Sequence, residues 1–204
     1  KGNSGSISVG TGTAAKGNGG LISITVGSGA KNSGGSVTIM SGTTTQTGTA
    51  GKGGLLHLTA GAGKGATGGK VELIAGSGQA TTSGSVTIKT VNAGTAGVSG
   101  ELVFSSGTTT KGDSGAVYIG TGSAVKGHGG AIHLSVGTGT ANKGGNVVVT
   151  AGGAEATASG TGGDVSIKSG KGTASTSGSI TIETVNAGTN GISGLLTFSS
   201  GTTT

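Results

Sequence analysis

Gly35-Ser36-Val37-Thr38-Ile39 is the stretch from which the rest of the chain can be read. It has the form Gly-x-Φ-x-Φ, where Φ is apolar, and the pattern usually continues x-small-Gly. It occurs thirteen times, with the first apolar residue at Ile7, Ile22, Val37, Leu56, Val71, Val86, Leu102, Val117, Ile132, Val147, Val165, Ile180 and Leu196. The spacings are 15, 15, 19, 15, 15, 16, 15, 15, 15, 18, 15 and 16 residues. We number the repeats 1 to 13 in that order.

Side chains alternate faces along an extended chain. Ile7, Val9 and Thr11 therefore share one side of repeat 1, and Val71, Leu73 and Ala75 share one side of repeat 5. One such run cannot bury its apolar face alone, whereas repeats stacked at a fixed period can cover one another. The linking segments are too short for crossover helices. The pattern predicts an all-β fold: a single parallel β-solenoid (β-helix) of about 13 coils, roughly 15 residues per coil, with both apolar columns buried.

A glycine stands two residues before the first apolar position in all thirteen repeats, from Gly5 and Gly20 to Gly178 and Gly194. Glycine also follows the apolar run in eleven of them. Close backbone approach and tight corners both favour a residue without Cβ. The two exceptions, Val91 and Val185, lie in Thr-Val-Asn-Ala-Gly-Thr within the 16-residue repeats, where a differently built corner is expected.

A larger duplication overlies the short one. Residues 1–110 hold seven coils and residues 111–204 hold six; both units end in Ser-Ser-Gly-Thr-Thr-Thr, within one continuous solenoid over 1–204. The insertions in the 19- and 18-residue repeats, near residues 43–46 and 153–156, occupy matching places and are expected to bulge from one corner. The phase across Thr204 to Lys1 equals that across Thr110 to Lys111, so a further copy would continue the array in register. This favours a head-to-tail homopolymer or a longer tandem array. Ser6, Ile7, Ser8 and Val9 at one end, and Leu195, Leu196, Thr197 and Phe198 at the other, are the expected end-to-end interface; both look like unblocked strand edges.

Composition excludes several classes of function. Glycine is 51 of 204 residues and aromatics are 1%, but a strict period with apolar alternation separates the chain from disordered low-complexity sequence. Collagen needs glycine at every third position, which the Ile-x-Val runs break. No run is long and apolar enough to span a membrane, and the chain opens inside a repeat without a signal-like start. Net charge is +6, carried by lysine; with no arginine and few aromatics, nucleic acid is not an expected partner.

No constellation supports catalysis or a cofactor. His57, His128 and His133 are too far apart along the array to share an ion, and cysteine is absent. Asp113 and Asp164 are the only aspartates, too few for a calcium site in each repeat. Gly-x-Gly strings precede no helix pattern, so phosphate-binding loops are not indicated. The chain is expected not to be an enzyme. His57 with Glu72, and Lys168 with Glu183, fall in common columns and are candidate surface pairs.

Two surface columns stand out. Lys1, Lys16 and Lys31 are 15 apart, and Lys111 and Lys126 repeat that arrangement. Stacked like charges point to a polyanion such as acidic polysaccharide or a mineral surface. Val103, Tyr118, His133 and Val148 form an outward, mostly apolar column, a candidate lateral contact.

The Gly-Gly-Ser-Val-Thr-Ile-type coils with Thr/Ser-rich corners resemble the Gly/Ser/Thr-rich tandem β-solenoids of extracellular fibres and cell surfaces. The chain is also similar, more weakly, to insect antifreeze solenoids. Those carry a flat Thr-x-Thr ladder, while the outward column here reads Ser8, Ser23, Thr38, His57, Glu72, Thr87. The first resemblance implies a structural protein outside the cell, forming a rigid filament by end-to-end stacking. The alternative it leaves is an ice-binding, adhesive or polyanion-binding surface.

Overall fold

The computed structural model describes residues 3–31, 33–46, 51–141, 143–155 and 160–202. Among them there is no helix and no strand, and the predicted β-solenoid is not formed. The apolar runs carry no bend. Bends fall instead at residues 15–17, 30–31, 64–66, 79–81, 110–112, 125–127, 140–141 and 173–175, in each case eight to ten positions after the first apolar residue. The period is thus expressed in the backbone as a repeated run and bend, without a ladder.

The reason lies in the hydrogen bonds. A sheet needs neighbouring runs to exchange bonds along their length. Here most junctions between repeats carry one backbone bond, from the glycine two before the first apolar residue to the carbonyl of the glycine ending the previous run. Gly35 N–H donates to Gly27 C=O at 3.3 Å, Gly69 to Gly61 and Gly84 to Gly76 at 2.8 Å, Gly145 to Gly137 at 3.4 Å, and Gly178 to Gly170 at 2.9 Å. We call this bond the neck of the loop it closes.

The insertions sit inside the same loop. Gly54 N–H donates to Gly42 C=O and Gly163 N–H to Gly152 C=O, both at 2.8 Å, so the extra residues lengthen the loop without changing its neck. Ala156 of the second insertion lies outside the described residues. The corners after Val91 and Val185 are indeed different. There, Gly97 N–H donates to Gly94 C=O at 3.3 Å and Gly191 N–H to Gly188 C=O at 3.0 Å, closing tight turns at Thr95-Ala96 and Thr189-Asn190.

The expected buried columns are not buried, and no described residue is. The chain exposes 20387 Å². A folded monomer of this mass shows about 8,200 Å², and its extended chain about 27,000 Å². With two large apolar residues per repeat and glycine the commonest residue, the chain has little apolar area with which to offset backbone ordering. Phe104 and Phe198, the bulkiest residues of the second apolar column, stand in the open with the rest.

Exposure still follows the pattern. From repeat 2 to repeat 13, the first apolar residue ranges only from 46% exposed at Leu196 to 59% at Ile132. Ile7, in repeat 1, is 94% exposed. Local sequence does not explain this, because Gly178-Ser179-Ile180 matches Gly5-Ser6-Ile7 and Ile180 is 50% exposed.

The chain divides into two units, Lys1–Val103 and Phe104–Thr204. The division falls within the seventh apolar run, not at the sequence duplication between Thr110 and Lys111.

Candidate functional site: the repeat junction

Among the described residues, the chain packs closely on itself at the junction between repeats. Four residues after the first apolar position stands a small or β-branched residue, here termed the knob. It lies against the glycine two before the next first apolar position, the seat. A Cβ built on Gly20 would lie 2.9 Å from Thr11 Cβ, on Gly54 3.3 Å from Ser41 Cβ, and on Gly69 3.3 Å from Ala60 Cβ. On Gly100 it would lie 3.3 Å from Thr90 Cγ2, on Gly115 3.5 Å from Ser106 Cβ, and on Gly163 3.7 Å from Ala151 Cβ. On Gly35 and Gly145 it would overlap Val26 Cγ1 and Val136 Cγ1. The pairing holds at all twelve internal junctions.

The knobs are accordingly among the best-covered residues. Ser41, Ala60, Ala75 and Ala151 are half-buried, and Val136 is less exposed than any other large apolar residue described. Sequence reasoning placed the glycine and offered two reasons for it, a tight corner or a close backbone approach. Its role is close approach, since the only described glycines with positive φ are Gly65 and Gly112, and neither is a seat.

Knob size and neck length go together. With Ala60, Ala75, Ser41, Ala151 or Ser169 on the seat, the neck is 2.8–2.9 Å; with Val26 or Val136 it is 3.3–3.4 Å. The longer values lie beyond the usual N–H···O range of about 2.7–3.2 Å. A valine γ-methyl wedges the junction open.

A second glycine decides whether the neck forms. Eight junctions have the basic 15-residue spacing. Five carry glycine seven residues after the first apolar position, at Gly29, Gly63, Gly78, Gly139 and Gly172, and those five have the neck bond. A Cβ at any of them would overlap the carbonyl oxygen four residues on, as at Gly63 with Thr67. The other three carry Ala14, Thr109 and Ala124 there and have no neck bond. At two of these a hydroxyl substitutes: Thr11 Oγ1 donates to Gly20 C=O at 3.4 Å, and Thr121 Oγ1 to Gly130 C=O at 3.1 Å.

The charged candidates lie on the surface. Lys16, Lys31, Lys111 and Lys126 each sit in a bend and are exposed; Lys1 lies outside the described residues. The expected pairing of His57 with Glu72 is not present. His57 Nε2 is 2.8 Å from Thr59 Oγ1, and Glu72 pairs with Lys70 at 2.5 Å, the one salt bridge among the described residues. No group of His, Cys, Asp or Glu among them could hold a metal ion. A shallow open depression of about 440 Å³ follows Lys89, Thr90, Val91 and Asn92, a single stretch of chain with no converging groups from elsewhere.

No family model, no curated relative and no solved structure matches the chain.

Val103, Tyr118, His133 and Val148 are all exposed. At the ends, residues 6–9 and 195–198 are likewise exposed runs without strand structure, so they are not the strand edges expected of them. No helix among the described residues is long and apolar enough to cross a membrane.

Proposed function

We propose that this chain is a structural protein of the cell exterior that assembles head to tail with copies of itself. The observation that carries the reading is the uncovered apolar residue recurring in every repeat. Every large apolar side chain described is exposed, at intervals set by the repeat, and nothing described within one copy buries it. Isolated exposed apolar residues are ordinary, but a recurring array marks a surface for association. Repetition makes the contact extensible, because a heterologous contact that does not close adds copies without limit. The repeats resemble in sequence style the Gly/Ser/Thr-rich tandem β-solenoids of extracellular fibres and cell surfaces, although no solenoid forms here, and that likeness of sequence supports the same location and role. The chemistry-bearing residues are few and scattered, which supports a non-enzymatic role.

Electron microscopy of the purified native material, with sedimentation across a concentration series, tests this. Thin filaments growing with concentration are expected. A monomer that persists at high concentration would end the reading.

A second reading, a polyanion-binding surface, is favoured by one observation. Lys16, Lys31, Lys111 and Lys126 recur in the bends at matching positions of their repeats. An acidic polysaccharide or a mineral surface is the class of partner such a row suits.

A further inference from the structure

We propose that Asn18 is a site of self-modification, at which the backbone nitrogen of Gly19 attacks the side-chain amide and the residue converts to aspartate and isoaspartate. The site does not depend on association between copies.

Of the eight asparagines, two precede glycine: Asn18-Gly19 and Asn190-Gly191. Asparagine is a thermolabile residue. Its side-chain carbonyl carbon lies within reach of the next backbone nitrogen, and glycine leaves that approach open because it has no Cβ. The backbone sets the two pairs apart. Asn18 is exposed and follows the bend at residues 15–17. Among the described residues Gly19 N–H donates to no acceptor, and a Cβ built on Gly19 has nothing within 4 Å. At Asn190 the nitrogen is engaged. Gly191 N–H donates to Gly188 C=O at 3.0 Å across the turn at Thr189-Asn190, and a Cβ built on Gly191 would lie 3.2 Å from Ala187 Cβ. Ala187 N–H donates to Ser193 Oγ at 3.1 Å, which ties the same corner a second time. The duplication repeats neither pair: the counterpart of Asn18 is His128, and that of Asn190 is Ala96.

The conversion needs only water and hydroxide. Hydroxide takes the Gly19 N–H proton, the nitrogen bonds to Asn18 Cγ, and the Cγ–Nδ2 bond breaks. The leaving nitrogen takes a proton from water and departs as ammonia, which regenerates hydroxide. Water then opens the five-membered imide. Breaking its bond at Cγ gives aspartate; breaking its bond at the backbone carbonyl gives isoaspartate, with the chain running through Cβ. Nothing is oxidised or reduced. At Gly191 the same proton is held by the Gly188 carbonyl, so the turn must open first. Either product places a carboxylate two residues from Lys16, within the row of bend lysines, and lowers the net charge of +6 by one. Isoaspartate also lengthens the backbone just before the seat Gly20, where Thr11 packs.

Full-length chain kept warm at mildly alkaline pH, sampled over time, cleaved after lysine and read by mass spectrometry tests the site. The fragment 17–31 holds Asn18 as its sole side-chain amide, and fragment ions separate Asn190 from Asn186. Conversion at Asn18 should outrun that at Asn190 by about fivefold or more, the factor that one backbone hydrogen bond supplies. It should quicken with hydroxide concentration and appear on isoelectric focusing as a shift of one charge. Gly19→Ala, whose Cβ meets no neighbour, should slow it strongly. In concentrated guanidinium, where the turn is lost, the two rates should converge. Equal rates in the native chain, a difference that persists in guanidinium, or a Gly19→Ala chain that converts as fast as the parent would each overturn the assignment.

Discussion

Val26 stands on Gly35 and stretches the bond beneath it: Gly35 N–H is 3.3 Å from Gly27 C=O, where Gly69, under the smaller Ala60, is 2.8 Å from Gly61. Val136 over Gly145 repeats the relationship in the second unit. Val26→Ala and Val136→Ala should shorten these necks, and Ala60→Val should lengthen the Gly69 neck. A single backbone hydrogen bond contributes about 1 kcal/mol net, so the full effect corresponds to about fivefold in amide exchange. Exchange at Gly35 and Gly145 should slow by up to that factor, and at Gly69 it should quicken. Unchanged rates at all three would detach knob size from neck strength.

The glycine seven residues after the first apolar position makes a separate prediction. A Cβ at Gly78 would overlap the Thr82 carbonyl. Gly78→Ala should open that bend and release Gly84 N–H from Gly76, so that Gly84 exchanges as fast as Gly20. The converse change, Ala14→Gly, should let Gly20 N–H reach Gly12 and slow its exchange. If Gly84 stays protected in the first variant, the bend does not depend on that approach. Gly10, with nothing within 4 Å of a built Cβ, is the neutral control: Gly10→Ala should leave both amides as they are.

These positions show what the sequence could and could not disclose. The period, the seat glycine before every first apolar residue, and the odd corners after Val91 and Val185 were all legible, because each is a residue type recurring at a fixed offset. The small residue such as Ala75 was legible as sharing a side with Val71 and Leu73. Backbone pairing was not. A period says that Val37 and Leu56 are equivalent; it does not say that the N–H groups around them find partners in the next repeat. That depends on whether apolar burial outweighs the ordering of a glycine-rich backbone, and alternation is the same either way. The exchange of Glu72's expected partner from His57 to Lys70 has a simpler cause: without stacked coils, the residue two positions away is nearer than the one in the adjacent repeat.

If the exposed apolar residues drive association, assembly should strengthen on warming from the cold and on adding sulfate, as apolar burial does. Leu134→Ser and Ile167→Ser should each raise the concentration at which particles form, by about tenfold for roughly 1.5 kcal/mol of lost burial. Light scattering against concentration measures this. Equal onset for variants and parent would show that these residues stay wet in the assembly.

The lysines in the bends give a prediction separate from assembly. Binding to an acidic polysaccharide should weaken steeply as salt rises, because exposed charges are screened within about 10 Å at 0.1 M. Replacing Lys16, Lys31 and Lys126 with Gln should abolish it and leave filament formation unchanged. Binding that survives the triple replacement would leave those lysines only a role in solubility.

The most direct measurement is residue-resolved amide exchange on the same chain, first dilute and then assembled. In the dilute chain, protection among the described residues should be confined to the neck donors Gly35, Gly54, Gly69, Gly84, Gly145, Gly163 and Gly178, to the turn donors Gly97 and Gly191, and to Gln46 and Ala187, whose N–H groups donate to Thr44 Oγ1 and Ser193 Oγ. The apolar runs, such as residues 36–39, should exchange freely until copies associate and then become protected. Protection along those runs in the dilute monomer would mean that one copy already covers its own apolar faces, and would contradict the account.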